Sequence, residues 1–328
     1  MNAELSINKR MSAICCLKYG SPDVLQPRRL PIPQPAENQV LIRVMSTSVT
    51  RGDLLVRAGS PFPIRFFTGL IKPNNPVLGH EFAGVIDTIG PGVQNWKVGE
   101  KVMGSLGMKS GAYAEYLVTE TANITSILEN IEFESAAVSQ VGGLTALWFL
   151  NKMDILPGQK ILIFGASGSV GSAALQFANA KGAMVDGVCG PHAIETVKGL
   201  GANEVFDYTK WNPKSGNEAY DAVFDAAGKL SLNKAQVLLN EGARYATVSY
   251  RVPLVLSKRL FKERQIKSYC GLMQATADNR AELRDALAEA IFRPLIDRCF
   301  HWNQLSRAHD YAERTKKLGN IPVRFFTH

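Results

Sequence analysis

The sequence has few cysteines, and their spacing argues against both a disulfide framework and a structural zinc site. Its 328 residues include five scattered cysteines, namely Cys15, Cys16, Cys189, Cys270 and Cys299. An odd number of cysteines without regular spacing does not form a disulfide framework. No C-x-x-C pair occurs, so we do not expect a structural zinc site built from cysteines.

The chain also lacks a long apolar run. No uninterrupted apolar stretch approaches the roughly 20 residues of a membrane-spanning helix. The first ten residues include Asn2, Glu4, Asn8 and Lys9, so they lack the apolar centre of a secretory signal. With 46% hydrophobic and 20% charged residues, the composition is that of a globular protein. We therefore expect a cytoplasmic protein without a membrane span.

The net charge of +8 raises the question of an anionic partner. The densest basic stretch runs from Lys258 to Lys267 and has Glu263 inside it. Its only aromatic residue is Phe261, whereas a nucleic-acid groove would interleave several aromatic side chains with its cations. We interpret the stretch as a solvated helix face and expect no nucleic-acid partner.

The most specific signal lies between Lys160 and Gly171. The apolar run Ile161–Phe164 is bounded by glycine, which predicts a strand buried on both faces. A helix is predicted over 172–181, ending at Gly182. The turn between them has a G/A-x-G-x-x-G pattern and brings backbone N–H groups close to a pyrophosphate. The predicted cofactor contacts are Ala166, Ser167, Gly168, Ser169, Val170 and Gly171. The alternative is a glycine-rich turn without a ligand.

The rest of the chain divides into two patterns. Residues 13–118 contain short strands separated by glycine and proline, which is typical of a compact barrel-like domain. A helix is predicted over 133–150, interrupted at Gly142 and Gly143. Strands and helices then alternate over 160–269, which predicts an α/β fold with a doubly wound parallel sheet.

After residue 271 the alternation ends. Asn279 and Glu282 resemble a capping box that opens a helix reaching about Phe292. A helix over 305–317 and a strand over 321–326 follow, and we expect this segment to fold back onto the first domain. The predicted divisions are 1–128, 129–271 and 272–328.

Seven motifs occur in order along the chain, beginning with Gly20-Ser-Pro-Asp-Val-Leu and Ser48-Val-x-Arg-Gly-Asp53. The others are Leu78-Gly-His-Glu-Phe-Ala-Gly-Val, Gly111-x-Tyr-Ala-Glu-Tyr, Gly143-Leu-Thr-Ala-Leu, Gly165-Ala-Ser-Gly-x-Val-Gly and Lys198-x-Leu-Gly-Ala202. Together they resemble the medium-chain dehydrogenase/reductase superfamily, within it the zinc-independent quinone oxidoreductase branch, near the reticulon-interacting type. The resemblance implies a GroES-like β-barrel catalytic domain, a Rossmann cofactor domain, and a homodimer formed through residues 265–269.

The zinc-dependent members of the superfamily bind catalytic zinc through a cysteine, a histidine in a G-H-E motif and a second cysteine. His80 matches the histidine, but the first cysteine position falls on Thr50, and 140–142 contains no cysteine. One histidine does not make a three-ligand catalytic site, so we expect no bound metal and interpret His80 as a packed or hydrogen-bonded residue.

The resemblance also directs attention to the end of the second Rossmann strand, where an acidic residue would hold the 2′-hydroxyl of NAD. Asp186 lies three residues before Cys189, so its side chain points to the opposite face of the strand. The strand end is therefore neutral and permits a 2′-phosphate, so NADP(H) is the predicted cofactor. The further predicted contacts are Thr145, Cys189, His192, Tyr208 and Gly228. Arg314 is a weaker candidate that we interpret as ordinary surface.

A nicotinamide cofactor carries out the redox step, and the protein binds, orients and polarises. Without a metal, the predicted reaction is reduction of a small quinone or α,β-unsaturated carbonyl, whose conjugation spreads the developing negative charge. The predicted catalytic residues are Thr50, as the hydrogen-bond donor, and Asp53, as its orienting or structural partner; Tyr113 is expected to pack. Two alternatives stay open: a zinc-type alcohol dehydrogenase or carbonyl reductase, and a non-catalytic NADPH-binding scaffold or RNA-binding protein.

Overall fold

A computed structural model describes residues 9–213, 219–249 and 264–326. The chain divides into two compact units, the first comprising Met1–Val141 and Ile296–His328 and the second Gly142–Leu295. The sequence placed the first division just before the helix Phe133–Met153, whereas this helix contributes residues to both units. Most of the basic stretch discussed above, 258–263, lies outside the described residues.

The strands of the first unit pair mainly in antiparallel fashion, with one parallel pair near the C-terminus. Strands β1 (Arg10–Cys16) and β2 (Leu25–Pro31) form a two-stranded sheet. A seven-stranded sheet contains β3 (Gln39–Ser48), β4 (Glu81–Ile89), β5 (Lys101–Ser105), β6 (Tyr116–Glu120), β7 (Ile124–Ser126), β14 (Phe300–His301) and β15 (Pro322–Arg324). Its order is β14-β15-β3-β4-β5-β7, with β6 also paired to β3. The C-terminal residues therefore complete the sheet of this unit, since β15 pairs with the end of β3.

The first unit also contains helices. They are α1 (Arg51–Ala58), α2 (Arg65–Thr68), the first part of α3 (Phe133–Met153) and α8 (Leu305–Arg314). Helix α1 begins at a capping box, in which Thr50 and Asp53 each satisfy the backbone N–H of the other. It ends at Gly59, whose φ of +60° is the left-handed conformation that favours glycine. Among the described residues, none of the helices combines the length and hydropathy that crossing a bilayer requires.

The second unit is a six-stranded parallel sheet with helices between its strands. The strands are β8 (Lys160–Phe164), β9 (Met184–Cys189), β10 (Val205–Asp207), β11 (Tyr220–Asp225), β12 (Leu239–Thr247) and β13 (Lys267–Cys270). The helices are α4 (Ser169–Ala180), α5 (Ile194–Gly199), α6 (Leu232–Leu238) and α7 (Ala277–Ala288). The order β10-β9-β8-β11-β12-β13 is doubly wound, so the predicted α/β fold is confirmed.

Two local predictions were wrong. Helix α3 is continuous through Gly142 and Gly143, because these glycines admit close neighbours rather than end the helix. A Cβ on Gly142 would lie 2.1 Å from the Ser169 hydroxyl, and one on Gly143 would lie 2.7 Å from Leu283. Helix α7 begins after Thr276, whose side chain accepts from the Asn279 N–H, so Asn279 is not the capping residue.

Buried apolar side chains form the core of each unit. In the second unit the inward faces of β8, β9 and β11 supply Leu162, Val188 and Val223, all of which are buried. In the first unit the core includes Val40, Ile42 and Phe82 from the paired strands β3 and β4. Burial of these residues on both strands fixes the register that brings Ser48 beside Glu81. The polar site described below is therefore positioned by the core.

Candidate functional site

The glycine turn of the second unit has the geometry of a phosphate-binding loop. Gly165 leaves β8 with a φ of +85°, and Gly168 donates its N–H to the Gly165 carbonyl at 3.0 Å. Gly168 caps α4 in an extended conformation, and an added Cβ would meet only the Gly165 carbonyl oxygen, at 3.4 Å. The space in front of Gly168 is thus open, and the first N–H groups of α4 face outward from the helix start.

Gly171 serves a different purpose in the same turn. A Cβ there would lie 2.1 Å from the Gly165 carbonyl oxygen and 2.9 Å from the Ala166 Cα. Both are backbone atoms, which cannot move aside as a flexible side chain could. Gly171 therefore allows α4 to pack directly on the turn, whereas Gly168 keeps the outer surface of the turn free.

The turn lies at the point where the strand order of the sheet reverses. Chain order runs from β8 outward to β10 on one side and from β11 outward to β13 on the other. A Cβ on Gly165 would lie 2.8 Å from the Ala227 Cβ, so the loops that follow β8 and β11 touch. Ligands of doubly wound sheets bind in the crevice at this position.

The loop after β11 is held by Asp225. This buried carboxylate accepts from the backbone N–H groups of Lys229 and Leu230 and from the Thr247 hydroxyl, at 3.0–3.2 Å. Gly228 lies within the loop with a φ of +66°, beside Ser249. Asp225 thereby holds in place the segment in which a cofactor contact at Gly228 was predicted.

Asp186 is a buried residue of β9 whose contacts lie within the second unit. It is 1% exposed, and it accepts from the Glu204 N–H and the Tyr220 hydroxyl, both at 3.0 Å. The Lys160 ammonium lies 3.5 Å from the same carboxylate. These contacts use both carboxylate oxygens within the protein, in agreement with the predicted orientation.

The end of β9 brings together three predicted cofactor contacts. Cys189 is buried, and its burial, with the nearby charge of Asp207, raises the pKa of its thiol to about 11. A Cβ on Gly190 would lie 2.7 Å from the His192 ring and 3.3 Å from the Tyr208 ring, so these two exposed rings converge. The thiol is buried, whereas His192 and Tyr208 are exposed side chains with hydrogen-bonding groups at this strand end.

Sequence reasoning missed Asp207 in this place. It ends β10 opposite Cys189, and one of its oxygens accepts from the N–H and the hydroxyl of Thr209, at 2.9 and 2.8 Å. The sequence predicted a neutral strand end. In the structure the end of β9 is not neutral, because the neighbouring strand β10 supplies a carboxylate. Only the parallel pairing of β9 and β10 reveals that proximity.

For the remaining predicted cofactor contacts, the structure gives the location and burial of each residue. Ser167, Ser169 and Val170 are half-buried residues of the turn and the first turn of α4, and Thr145 is half-buried in α3. Their contact with a cofactor stays a prediction. Arg314 forms an ion pair with Asp310 at 2.6 Å in the last turns of α8, in accordance with its interpretation as a surface residue.

In the first unit, Asp53 organises a polar network. It is fully buried, and one carboxylate oxygen accepts from the Thr50 N–H at 2.8 Å and from the Thr50 hydroxyl at 2.6 Å. The other oxygen accepts from the Gly79 N–H at 3.0 Å and lies 2.6 Å from Nδ1 of His80. Asp53 thus joins the start of α1 to the residues that precede β4.

Asp53 and His80 stabilise each other's charged forms. Burial alone would raise the pKa of Asp53, but the charge and hydrogen bond of His80, with the Thr50 hydroxyl, hold it below its ordinary value. Burial likewise opposes protonation of His80, yet the Asp53 carboxylate outweighs it and raises the pKa of the imidazole. The pair therefore favours a carboxylate and an imidazole that holds its protons.

The Thr50 hydroxyl has one proton, and in this arrangement it is donated to Asp53. Its oxygen also accepts from the Asp53 N–H, at 3.2 Å. The predicted association of Thr50 with Asp53 is therefore present, but as a closed capping box. Donation from Thr50 to a substrate requires its proton to turn away from Asp53.

A second carboxylate lies directly after His80. Glu81 is buried, accepts from the Val141 N–H at 2.6 Å, and is hydrogen-bonded to the Ser48 hydroxyl. Burial raises its pKa to about 7 despite these donors. Glu81 therefore exchanges its proton near neutral pH, although its contacts lie within the protein.

Behind Asp53, Tyr113 and His309 fill the core. The Tyr113 hydroxyl is 3.2 Å from the Ser48 carbonyl oxygen and 3.0 Å from Nε2 of His309, and both residues are buried. Burial lowers the pKa of His309 to about 3, so its ring is neutral. Tyr113 packs, as predicted, and neither residue offers an exposed group. Among the described residues, no group of three or more His, Cys, Asp or Glu side chains is arranged to hold a metal ion.

Comparison with known proteins identifies the family. Residues 36–129 match the alcohol dehydrogenase GroES-like domain, and residues 200–321 match the domain described as zinc-binding dehydrogenase. The chain is 31% identical to the quinone oxidoreductase of Sus scrofa, over 92% of this chain and 94% of that protein. The chain belongs to the medium-chain dehydrogenase/reductase superfamily, in its quinone oxidoreductase branch. The resemblance of the sequence motifs to this superfamily and to its quinone oxidoreductase branch is thereby confirmed.

Two further relatives agree with this assignment. The chloroplastic NADPH-dependent alkenal/one oxidoreductase of Arabidopsis thaliana is 31% identical, over 98% of this chain and 82% of that protein. The structure of the quinone oxidoreductase from Coxiella burnetii superposes with a TM-score of 0.88 at 28% identity, covering 97% of this chain and all of the other. The protein is an oxidoreductase of the pyridine-nucleotide-dependent type.

The residues present fit such a cofactor. The open space in front of Gly168, the outward N–H groups of α4 and the strand-order reversal coincide at one edge of the sheet. Ala166 is buried, and the N–H groups of Ala166 and Gly168 are donated to the carbonyls of Val188 and Gly165. The pyrophosphate would therefore be held in front of Gly168 by the N–H groups at the start of α4, and the exposed rings of His192 and Tyr208 lie at the neighbouring strand end. When bound, the nicotinamide supplies the hydride.

Proposed function

We propose that the protein reduces a small quinone or α,β-unsaturated carbonyl with NADPH. The observation that carries the proposal is the family assignment over nearly the whole chain, combined with an intact phosphate-binding turn. One relative is named a quinone oxidoreductase and another an NADPH-dependent alkenal/one oxidoreductase, and both acceptors are conjugated carbonyl compounds.

The first unit supports this chemistry through hydrogen bonding. The zinc-dependent relatives have a cysteine where this chain has Thr50, so a different group must stabilise charge on the acceptor oxygen. In a conjugated acceptor that charge is delocalised, and hydrogen-bond donors suffice. Thr50 and Asp53 are the proposed catalytic pair, with Asp53 acting as a positioning residue because it is fully buried.

NADPH rather than NADH is the proposed cofactor. Asp186 is committed to contacts inside the sheet, so it does not compete for a ribose 2′-hydroxyl. His192 and Tyr208 offer exposed hydrogen-bonding groups for a 2′-phosphate, and Asp207 has one oxygen satisfied by Thr209. A homodimer and a cytoplasmic location remain proposals that accompany this assignment.

Steady-state oxidation of NADPH with a panel of quinones and enones tests the function. We expect turnover with conjugated acceptors and little with saturated aldehydes or ketones. Binding of NADPH without turnover on any acceptor would favour a non-catalytic scaffold. Stoichiometric zinc in the purified protein, with activity lost on chelation, would instead indicate a zinc-type alcohol dehydrogenase.

A further inference from the structure

His80 stands out among the polar residues around Asp53 because one of its nitrogens is unused. Nδ1 lies 2.6 Å from Asp53, and Nε2 has no hydrogen-bond partner among the residues that the structure describes. The side chain keeps 12% of its area exposed, whereas that of Asp53 is fully buried. His80 is thus fixed at one end of its ring and available at the other.

The carboxylate determines which atom of His80 holds the proton. An ionised carboxylate only accepts, so Nδ1 carries a hydrogen that it donates to Asp53. When the ring is protonated, Nε2 carries the second hydrogen and becomes a donor. When the ring is neutral, Nε2 is an acceptor. Asp53 therefore sets both the orientation and the tautomer of the ring.

Thr50 and His80 border the same space. A Cβ added to Gly52 would lie 3.4 Å from the Thr50 hydroxyl oxygen and 3.5 Å from Cε1 of His80, which are its two nearest neighbours and ordinary contact distances. Both side chains also bind one carboxylate, that of Asp53. In this arrangement the Thr50 proton is donated to Asp53, whereas a protonated His80 carries a second proton on Nε2 that is not engaged by Asp53. Thr50 can still form a hydrogen bond to the acceptor when its hydroxyl turns, but His80 is the group that can transfer a proton.

We propose that His80, held by Asp53 through Nδ1, donates its Nε2 proton to the acceptor oxygen as that oxygen becomes negatively charged. This inference rests on the proposed function. A bound NADPH would supply the hydride: its C–H bond breaks as a C–H bond forms at the β-carbon of an enone, the nicotinamide is left oxidised, and the electrons of the conjugated system move onto the carbonyl oxygen. The O–H bond then forms as the Nε2–H bond breaks, which gives the enol and neutral His80. Solvent returns the proton to His80, and the enol becomes the ketone.

The surrounding charges favour this role. His80 faces the ionised Asp53 of α1 and the adjacent Glu81 of β4, and both raise its pKa. Behind Asp53, His309 of α8 is neutral near physiological pH and Tyr113 stays protonated, because burial moves their pKa values in those directions. Lys317, whose ammonium interacts with Glu81, has its pKa lowered by burial. The charged groups that act on His80 are therefore Asp53 and, when it is ionised, Glu81, and both stabilise the protonated ring.

The test compares His80→Gln with His301→Gln. Glutamine at position 80 has a similar volume and keeps a hydrogen-bond donor, but it does not titrate. His301 serves as the control because it is a histidine of the same unit, and its Nδ1 lies 2.8 Å from Asn303. For His80→Gln we expect kcat to fall roughly 10²- to 10⁴-fold. The loss of wild-type kcat as pH rises through the His80 pKa should also disappear, while the Kd for NADPH stays the same. His301→Gln should keep both the rate and the pH profile.

Two further readouts separate catalysis from structure. NMR titration of the free protein should show His80 as the Nδ1–H tautomer when neutral, with a pKa above the 6.5 of an ordinary histidine. Gly52→Ala should fold normally but lower kcat/KM for the acceptor roughly 10- to 100-fold, because its methyl group enters the space beside both side chains. Its NADPH affinity should not change.

The possible failures are distinguishable. A wild-type enzyme that reduces no conjugated acceptor rejects the proposed function, and this inference with it. An active wild type matched by an equally active His80→Gln, or a His80 that titrates below 6.5, overturns the inference alone. An unchanged kcat/KM in Gly52→Ala would show that the acceptor does not occupy the space beside Thr50 and His80.

Discussion

Gly168 and Gly171 lie three residues apart in one turn, yet side chains at the two positions should have opposite effects. Gly168 has φ −82° and ψ 174°, which any residue adopts, and its added Cβ meets only one carbonyl oxygen at 3.4 Å. Gly168→Val should therefore fold, at a cost of about 1 kcal/mol for a poor helix cap. Its branched side chain would occupy the space where a pyrophosphate approaches the backbone.

The loss of cofactor affinity follows from the hydrogen bonds displaced. A bond from a backbone N–H to a charged group contributes about 1.5–3 kcal/mol, so losing two weakens binding by about 3–6 kcal/mol. Since about 1.4 kcal/mol corresponds to a factor of ten, we expect the Kd for NADPH to rise at least about 100-fold. Fluorescence titration with NADPH measures the Kd, and circular dichroism reports the fold.

Gly171→Ala is the matched comparison. Its methyl group would lie 2.1 Å from the Gly165 carbonyl oxygen, so the turn and α4 must separate. We expect a destabilisation of about 1–3 kcal/mol or more, measured by urea denaturation. A folded Gly168→Val that binds NADPH as the wild type does would refute the assignment of this turn to phosphate binding. Equal stability of Gly171→Ala and the wild type would refute the packing argument.

Three further predictions concern specificity, the hydroxyl and pH. NADPH should give a higher kcat/KM than NADH, and equal or better use of NADH would mean that a carboxylate beside the β9 end, such as Asp207 at the end of β10, binds the ribose. Thr50→Val should lower kcat modestly, leave NADPH binding intact and cost about 1 kcal/mol of stability through the lost cap, whereas Thr50→Ser keeps all three properties. The pKa of Glu81 is raised from 4.5 to about 7, so its contribution to stability is complete below pH 4.5 and is lost as pH rises to 7. Glu81→Gln should remove up to about 1.4 kcal/mol per pH unit from the pH dependence of the unfolding free energy in that window, and an unchanged slope would contradict the raised pKa.

The sequence predicted the second unit well because its pattern is local. Apolar runs of strand length alternating with helical segments indicate a parallel sheet, and the glycine turn identifies its cofactor edge. Gly142 and Gly143 were misread because glycine also marks close packing, and their neighbours Ser169 and Leu283 are distant in sequence. Asp207 was missed for a similar reason, since strand pairing brings it to Cys189.

The polar network of the first unit was predicted only in part. The spacing of Thr50 and Asp53 is that of a capping box, which a local pattern can reveal. The contact between Asp53 and His80 spans 27 residues and depends on the placement of α1 beside the start of β4. The resemblance to the superfamily, together with the missing zinc ligands, implies a packed or hydrogen-bonded His80, but it does not indicate which nitrogen remains unused.

The most direct test of the central claim follows the transferred hydrogen itself. The enzyme is supplied with NADPH deuterated at the transferable position and with a simple enone, and the product is analysed by NMR and mass spectrometry. The account predicts one deuterium at the β-carbon of a saturated ketone, with the carbonyl retained. Deuterium on the carbinol carbon of an allylic alcohol would show that the enzyme reduces the carbonyl directly, and would contradict the account.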